Sequence, residues 1–309
     1  MKFALLVLLL LASSAIGGLE RYPELVVADA PLSKRGGGVR VTYLGTNGYQ
    51  LEADGHALWI DPYFSRVGLL PVAINARLAP HPTRLQEARA RLHPAPDTIL
   101  VTHAHLDHLL DVPPLLRGNA ARLIAGSSAT FLAQSCGIPG NRMWPVEPGS
   151  LRRIGPWKIR ALQAEHDHLF GNEPPFPGHL AKPGKPPRRP SHWILGEPLA
   201  FVIEAKGLRI YIDSGGRAGT PPPSNLGRVD LAIFGVALPD SRRRYPEAVR
   251  RLQPRYVLPS HQDDFFRPLS RGFSFNQLTD FPSIRKTHAR EQLPGRLILL
   301  DYFRPWTLR

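Results

Sequence analysis

The sequence predicts an α/β protein, a layered β sandwich with helices on its outside, and three observations predict it. The segments Val39-Arg40-Val41-Thr42-Tyr43-Leu44 and Tyr49-Gln50-Leu51-Glu52 alternate in the manner of strands and are joined through Asn47-Gly48, a strong hairpin turn. Thr98-Ile99-Leu100-Val101-Thr102 is instead a short, continuously apolar strand of the kind buried on both faces. From there to the C-terminal end, short β segments alternate with helical ones.

Taken in order, a third N-terminal strand, Ala57-Leu58-Trp59-Ile60, ends at Asp61-Pro62. After the apolar strand come an expected helix over Leu109–Arg117, a strand at Arg122–Ile124 and a helix over Ser127–Gln134. Further strands are expected at Lys158–Gln163, Ala200–Glu204, Leu208–Ile212, Leu231–Phe234, Tyr256–Leu258 and Leu297–Leu300, with helices over Tyr245–Leu252 and Phe275–Arg290. Between them, Gly171 to Pro190 is interrupted by prolines 174, 175, 177, 183, 186, 187 and 190. A loop that long inside a domain is usually functional, and its basic part, Lys182 to Arg189, is expected to act as a lid over an anionic group.

Length and composition bound the rest. A chain of 309 residues with 43% hydrophobic content buries one substantial core, so residues 19–309 are expected to form a single domain. Ahead of it, Lys2, the apolar run Phe3–Leu11 and the small residues Ala12 to Gly18 read as a signal peptide over residues 1–18. That run is shorter than the roughly 20 residues of a spanning helix, so the expected location is periplasmic or secreted. The one cysteine, Cys136, cannot form an internal disulfide and reads as a small packed residue. Lys and Arg number 39 against 25 Asp and Glu, a net +14 that favours anionic substrates and peripheral contact with anionic membranes. The charge is spread along the chain, which argues against nucleic acid as a partner.

The chemistry concentrates in His103-Ala104-His105-Leu106-Asp107-His108. Where a strand runs into a loop, residues i and i+2 point the same way, so His103 and His105 can chelate one ion while Asp107 and His108 turn towards a neighbouring position. Three imidazoles and a carboxylate beside a buried strand have little reason to exist as packing. Further ligands are then expected at other strand ends, where His166, Asp213 and His261 stand.

With H-x-H-x-D-H followed by those three residues, the chain resembles the metallo-β-lactamase-fold superfamily from Val39 to its last strand. The resemblance implies a four-layer αββα sandwich and two divalent metal ions, zinc first, with manganese or iron as alternatives. It implies one ion on His103, His105 and His166, the other on Asp107, His108 and His261, and Asp213 bridging them. Leu44-Gly45-Thr46-Asn47-Gly48-Tyr49 and Ile60-Asp61-Pro62 are similar to the family's opening strands, where Asp61 would support the ligands from behind. Leu109-Leu110-Asp111 and Pro259-Ser260-His261 are similar to the branch holding ascorbate-phosphate lactonases and N-acylphosphatidylethanolamine phospholipase D-like enzymes. Two positions depart from the family: Ile212-Asp213-Ser214 replaces a Gly-Asp-Thr, and Thr46-Asn47 a Gly-His-type turn.

The implied reaction is hydrolysis by hydroxide generated from metal-bound water, with Asp107 orienting or deprotonating the nucleophile. His168 and His192 are the expected proton donors or supporting residues. The expected substrate is a small molecule or lipid carrying a phosphodiester; a lactone or β-lactam is the alternative, and a non-catalytic secreted metal-binding protein is the alternative of another class. Asp213-Ser214-Gly215-Gly216 is superficially similar to the nucleophile loop of trypsin-like proteases, but the strand–helix alternation is wrong for a double β-barrel.

Overall fold

A computed structural model of the chain describes residues 17–29, 37–168, 173–276 and 279–309. The leader expected over residues 1–18 lies outside them except for its last two, as does the opening of the proline-rich segment. No helix among the described residues is long and apolar enough to cross a membrane.

Alternation builds the first sheet as anticipated. β1 (Val39–Gly45), β2 (Gly48–Ala53) and β3 (His56–Ile60) form an antiparallel meander, with Tyr43 opposite Tyr49 and Gln50 opposite Trp59. β4 (Thr98–Leu100), β5 (Arg122–Ala125) and β6 (Met143–Pro145) extend it in parallel, and β14 (Trp306–Leu308) closes the opposite edge beside β1. The second sheet repeats the plan: β7 (Leu151–Ile154), β8 (Trp157–Gln163), β9 (Leu199–Ala205) and β10 (Leu208–Asp213) are antiparallel, then β11 (Leu231–Gly235), β12 (Tyr256–Ser260) and β13 (Arg296–Leu297) add in parallel.

The sheets pack face to face on Val41, Leu51 and Ile60 from one and Phe201, Ile212 and Ile233 from the other, each removed from water. Burial of such a side chain stabilises by about 1.5–3 kcal/mol. The outer face of the first sheet packs Trp59, Ile99 and Leu123 against short helices: α1 (Leu69–Ala73), α2 (Pro82–Arg91), α3 (Leu106–Leu109), α4 (Val112–Arg117) and α5 (Ser127–Ser135). The outer face of the second packs Tyr211, Ala232 and Phe234 against α6 (Pro239–Leu252) and α7 (Phe281–Arg290). These are the four layers of an αββα sandwich.

Helix boundaries depart from the sequence reading for local reasons. The helix expected over Leu109–Arg117 is split into α3 and α4, because Pro113 and Pro114 lack the amide protons that would continue a helix across them. α6 starts six residues earlier than expected and continues through Pro246, because Asp240, Arg244, Ala248 and Leu252 form a buried stripe at helical spacing. α7 begins only at Phe281, and the preceding Phe275 belongs to a bridge with Asp263. α2 was not expected: only Leu85 and Ala88 on it are buried, too few to print a stripe.

The functional consequence of the topology is a shared rim. β4, β8, β10 and β12 end at Leu100, Gln163, Asp213 and Ser260, and the chemistry-bearing residues follow those ends.

Candidate metal centre

Beyond β4 the chain carries Thr102 and then His103, whose Nε2 lies 2.9 Å from Nδ1 of His105. His166, three residues beyond β8, stacks edge-on against both, with ring centroids 4.8 Å away. The three offer one ligand atom each, all within 4.8 Å of one another. Their other nitrogens are held by the protein: His105 Nε2–H donates to the Pro175 carbonyl and His166 Nδ1–H to the Asp167 carbonyl, both at 2.8 Å. His103 Nδ1 faces the hydroxyls of Thr102 at 3.2 Å and Ser214 at 3.3 Å. Fixing one nitrogen selects the tautomer and presents the other as a lone pair.

The second group is Asp107, His108 and His261. Asp107 stands in the first turn of α3, with Oδ2 3.0 Å from His261 Nε2 and 3.5 Å from His108 Nε2. His108 Nδ1 is 2.8 Å from the buried carboxylate of Asp61. Asp61 accepts three further bonds, from Asn47 Nδ2 at 2.8 Å, the Thr102 amide at 2.8 Å and the Thr102 hydroxyl at 2.6 Å, so its position is over-determined. Both Asp61 and His261 adopt left-handed backbone, at φ +41° and +56°. Such residues persist only where the surroundings fix them, and His261 is fixed by its amide on the Thr46 carbonyl at 2.7 Å.

Electrostatics separates the groups. Burial, reinforced by neighbouring imidazoles, holds His103 well below the usual histidine range, His105 at about 3 and His166 at about 4. Those three rings are therefore neutral, as metal ligation requires. Burial would lower His108 too, but the Asp107 and Asp61 carboxylates outweigh it and raise the ring. Burial would raise Asp107, yet His108 and His261 hold it well below the carboxylate range, so it is ionised. Neutral imidazoles and an anionic carboxylate converging within a few ångströms form a nitrogen–oxygen donor set that fits divalent cations.

Asp213 is not brought to either group. Along β10, Ile210 and Ile212 face the sandwich interior, so the two-residue period turns Tyr211 and Asp213 outward to α6. Asp213 Oδ2 accepts the Tyr211 hydroxyl and Arg244 Nη1, both at 2.8 Å, and Oδ1 accepts the amides of Gly215 at 3.1 Å and Gly235 at 3.3 Å. Strand periodicity and Arg244 thus hold Asp213 away from the bridging position implied for it, so that position rests on the resemblance alone. The next residue, Ser214, faces back towards His103. Only glycine allows this path at position 235, since a Cβ there would stand 2.0 Å from the Ser214 carbonyl carbon.

The supporting histidines fall elsewhere. The His168 amide donates to Asp240 at 3.3 Å, and His192 is exposed, its Nδ1 accepting the Arg188 amide at 3.2 Å. Next to His166, Asp167 accepts both the amide and the hydroxyl of Ser241 at 2.6 Å, tying the ligand loop to α6; burial raises this carboxyl to about 7. Sequence reading missed Thr102, Ser214 and Arg244. The signal for Arg244 was present, an arginine four residues before Ala248 on an apolar stripe; a hydroxyl beside a ligand leaves no such signature.

A family profile described as beta-lactamase superfamily domain matches residues 40–261. Among curated proteins, a UPF0173 metal-dependent hydrolase of Bacillus velezensis is 30% identical over 233 residues, 74% of this chain and 86% of that one. One of Desulforamulus reducens is 28% identical over 234 residues, 72% of this chain and 84% of the other. Among solved structures, the metallo hydrolase Igni18 of Ignicoccus hospitalis superposes with TM-score 0.56 at 16% identity over 88% of this chain and 98% of its own. An isothiocyanate hydrolase from Delia radicum gut bacteria does so with TM-score 0.58 at 13% identity, over 87% and 98%. At those identities the two structures speak for the fold alone.

Proposed function

The chain belongs to the beta-lactamase superfamily and is a metal-dependent hydrolase, and on that premise we propose that it uses two divalent ions, zinc first, to cleave a phosphodiester, and that it works outside the cytoplasm. The observation that carries the reading is the pair of three-residue groups, His103/His105/His166 and Asp107/His108/His261, each presenting its ligand atoms within 4.8 Å. Ions bound there would acidify water and polarise the scissile group.

The chain's own residues supply the rest. Asp107 is held ionised, which makes it a weak base but a strong hydrogen-bond acceptor; its part is to orient the attacking water. Thr102 and Asp61 keep the His108 ring turned towards the site. The Pro175 carbonyl does the same for His105, which ties the proline-rich segment to the centre. The phosphodiester reading is supported by the exposed cations Lys182, Lys185, Arg188 and Arg189 on the same segment, which would draw an anionic substrate towards the rim.

The test is a hydrolysis screen of the zinc- and manganese-loaded protein on phosphodiesters, lactones and β-lactams, with His103→Ala as control. Phosphodiester turnover that disappears in the variant supports the proposal. Turnover of lactones or β-lactams alone would move the chain to that substrate class.

A further inference from the structure

The outer face of α1 is built the wrong way round for a soluble surface. Val72 and, just beyond the helix, Leu78 anchor its inner side against the core of the first helical layer. Leu70 and Ile74, one turn apart and joined by the Ile74 amide on the Leu70 carbonyl at 3.1 Å, point outward with 56% and 65% of their surfaces exposed. These are the two most exposed large apolar side chains among the described residues.

The charged side chains on the two segments at this pair are of one sign. The basic segment is stitched to the end of α1: the Leu78 amide donates to the Arg188 carbonyl at 2.9 Å, Arg189 Nη1 to the Asn75 carbonyl at 2.7 Å, and the Ser191 amide to Asn75 Oδ1 at 3.0 Å. It brings exposed Arg188 and Arg189 beside exposed Arg77. Neither residues 66–82 nor residues 174–196 contain an Asp or Glu, so no carboxylate on either segment offsets these cations.

We propose that this face, Leu70 and Ile74 beside Arg77, Arg188 and Arg189, docks the protein on an anionic lipid surface. Two apolar side chains standing clear of the fold can enter the acyl boundary, while the cations pair with lipid phosphates at headgroup depth. Neither contribution is strong alone, and the structure combines them on one rigid patch. A phosphate ion or a soluble anion would engage the cations without calling for exposed Leu70 and Ile74; a second copy of this chain would face the same uncompensated positive charge. The segment that carries the cations also carries Pro175 against His105, so docking would set the metal centre's rim towards the membrane. The inference concerns binding and stands whether or not the phosphodiester reading holds.

The experiment is co-sedimentation of the full chain with vesicles of phosphatidylcholine alone and with a phosphatidylglycerol fraction, at low and high salt. Variants are Leu70→Ser/Ile74→Ser, Arg188→Gln/Arg189→Gln and, to separate binding from hydrolysis, His103→Ala. The expected result is salt-sensitive binding to anionic vesicles only, retained by His103→Ala and weakened about tenfold by each of the two double changes. Binding that either double variant leaves unchanged would overturn the proposal, as would absence of binding to anionic vesicles. So would sedimentation velocity showing a dimer that Leu70→Ser/Ile74→Ser dissolves, which would assign the patch to self-association.

Discussion

Asp107, beyond β4, and Asp213, the last residue of β10, stand at one rim of the sandwich, and both are aspartates that the sequence nominates as metal ligands, yet their surroundings differ. Asp107 meets imidazoles, His261 at 3.0 Å and His108 at 3.5 Å, and keeps part of its carboxylate accessible. Asp213 meets a guanidinium, a phenol and two amides, and is fully buried. A carboxylate whose acceptor positions are filled by fixed donors must give one of them up to meet a cation. The difference teaches that the residue type nominates a ligand, while the donors already present decide.

The largest expected effect breaks the comparison on the Asp213 side. Arg244→Met leaves a buried carboxylate without its cation, and removing one partner of a buried pair costs about 3–5 kcal/mol. Chemical denaturation should show that loss; a variant as stable as the parent would mean that Asp213 does not depend on Arg244. On the other side, Asp107→Asn keeps the shape but removes the charge, and hydrolysis is expected to fall by about a hundredfold or more with little change in stability. Rates within a few-fold of the parent would remove Asp107 from the reaction.

Asp61 sharpens the contrast, since it is an aspartate that holds the His108 ring without belonging to either three-residue group. Asp61→Asn should weaken metal affinity at the second group by about ten- to a hundredfold, the usual scale for partners standing behind ligands. Competition with a chromophoric chelator measures this, and an unchanged affinity would detach Asp61 from His108 function. The smallest effect concerns Asp111, whose carboxyl accepts the amides of Phe64 and Ser65 and which burial raises to about 6. A carboxyl raised above its unfolded value contributes stability that is full below about pH 4 and is lost as pH rises through 6. Asp111→Asn should therefore flatten the stability profile between pH 4 and 6, by on the order of 2 kcal/mol relative to the parent. Parallel profiles for the two proteins would show that Asp111 does not titrate in that window.

Much of this was legible in the sequence because it was written in short-range patterns. The meander showed in two-residue alternation, and the H-x-H-x-D-H run places four of the six gathered side chains by itself. His166 and His261 were found because they follow strand ends, and those strands were apolar enough to recognise. The fate of Asp213 was not legible, because it depends on the parity of one strand and on an arginine 31 positions away that only α6 brings to it. The hydroxyls of Thr102 and Ser214 were missed for a related reason: their part is set by orientation, and serine and threonine near a strand end are too common to single out. α1 was overlooked as a helix because its apolar residues face both ways, which is also what makes its outer face worth testing.

The central claim is that the two three-residue groups hold metal without Asp213. Its most direct test is elemental analysis of the folded, monodisperse parent alongside Asp107→Asn, Asp213→Asn and the double variant His103→Ala/His261→Ala. Two metal ions per chain are expected in the parent and in Asp213→Asn, fewer in Asp107→Asn, and essentially none in the double variant. If Asp213→Asn loses as much metal as Asp107→Asn, then Asp213 leaves Arg244 to bind metal and the account is contradicted.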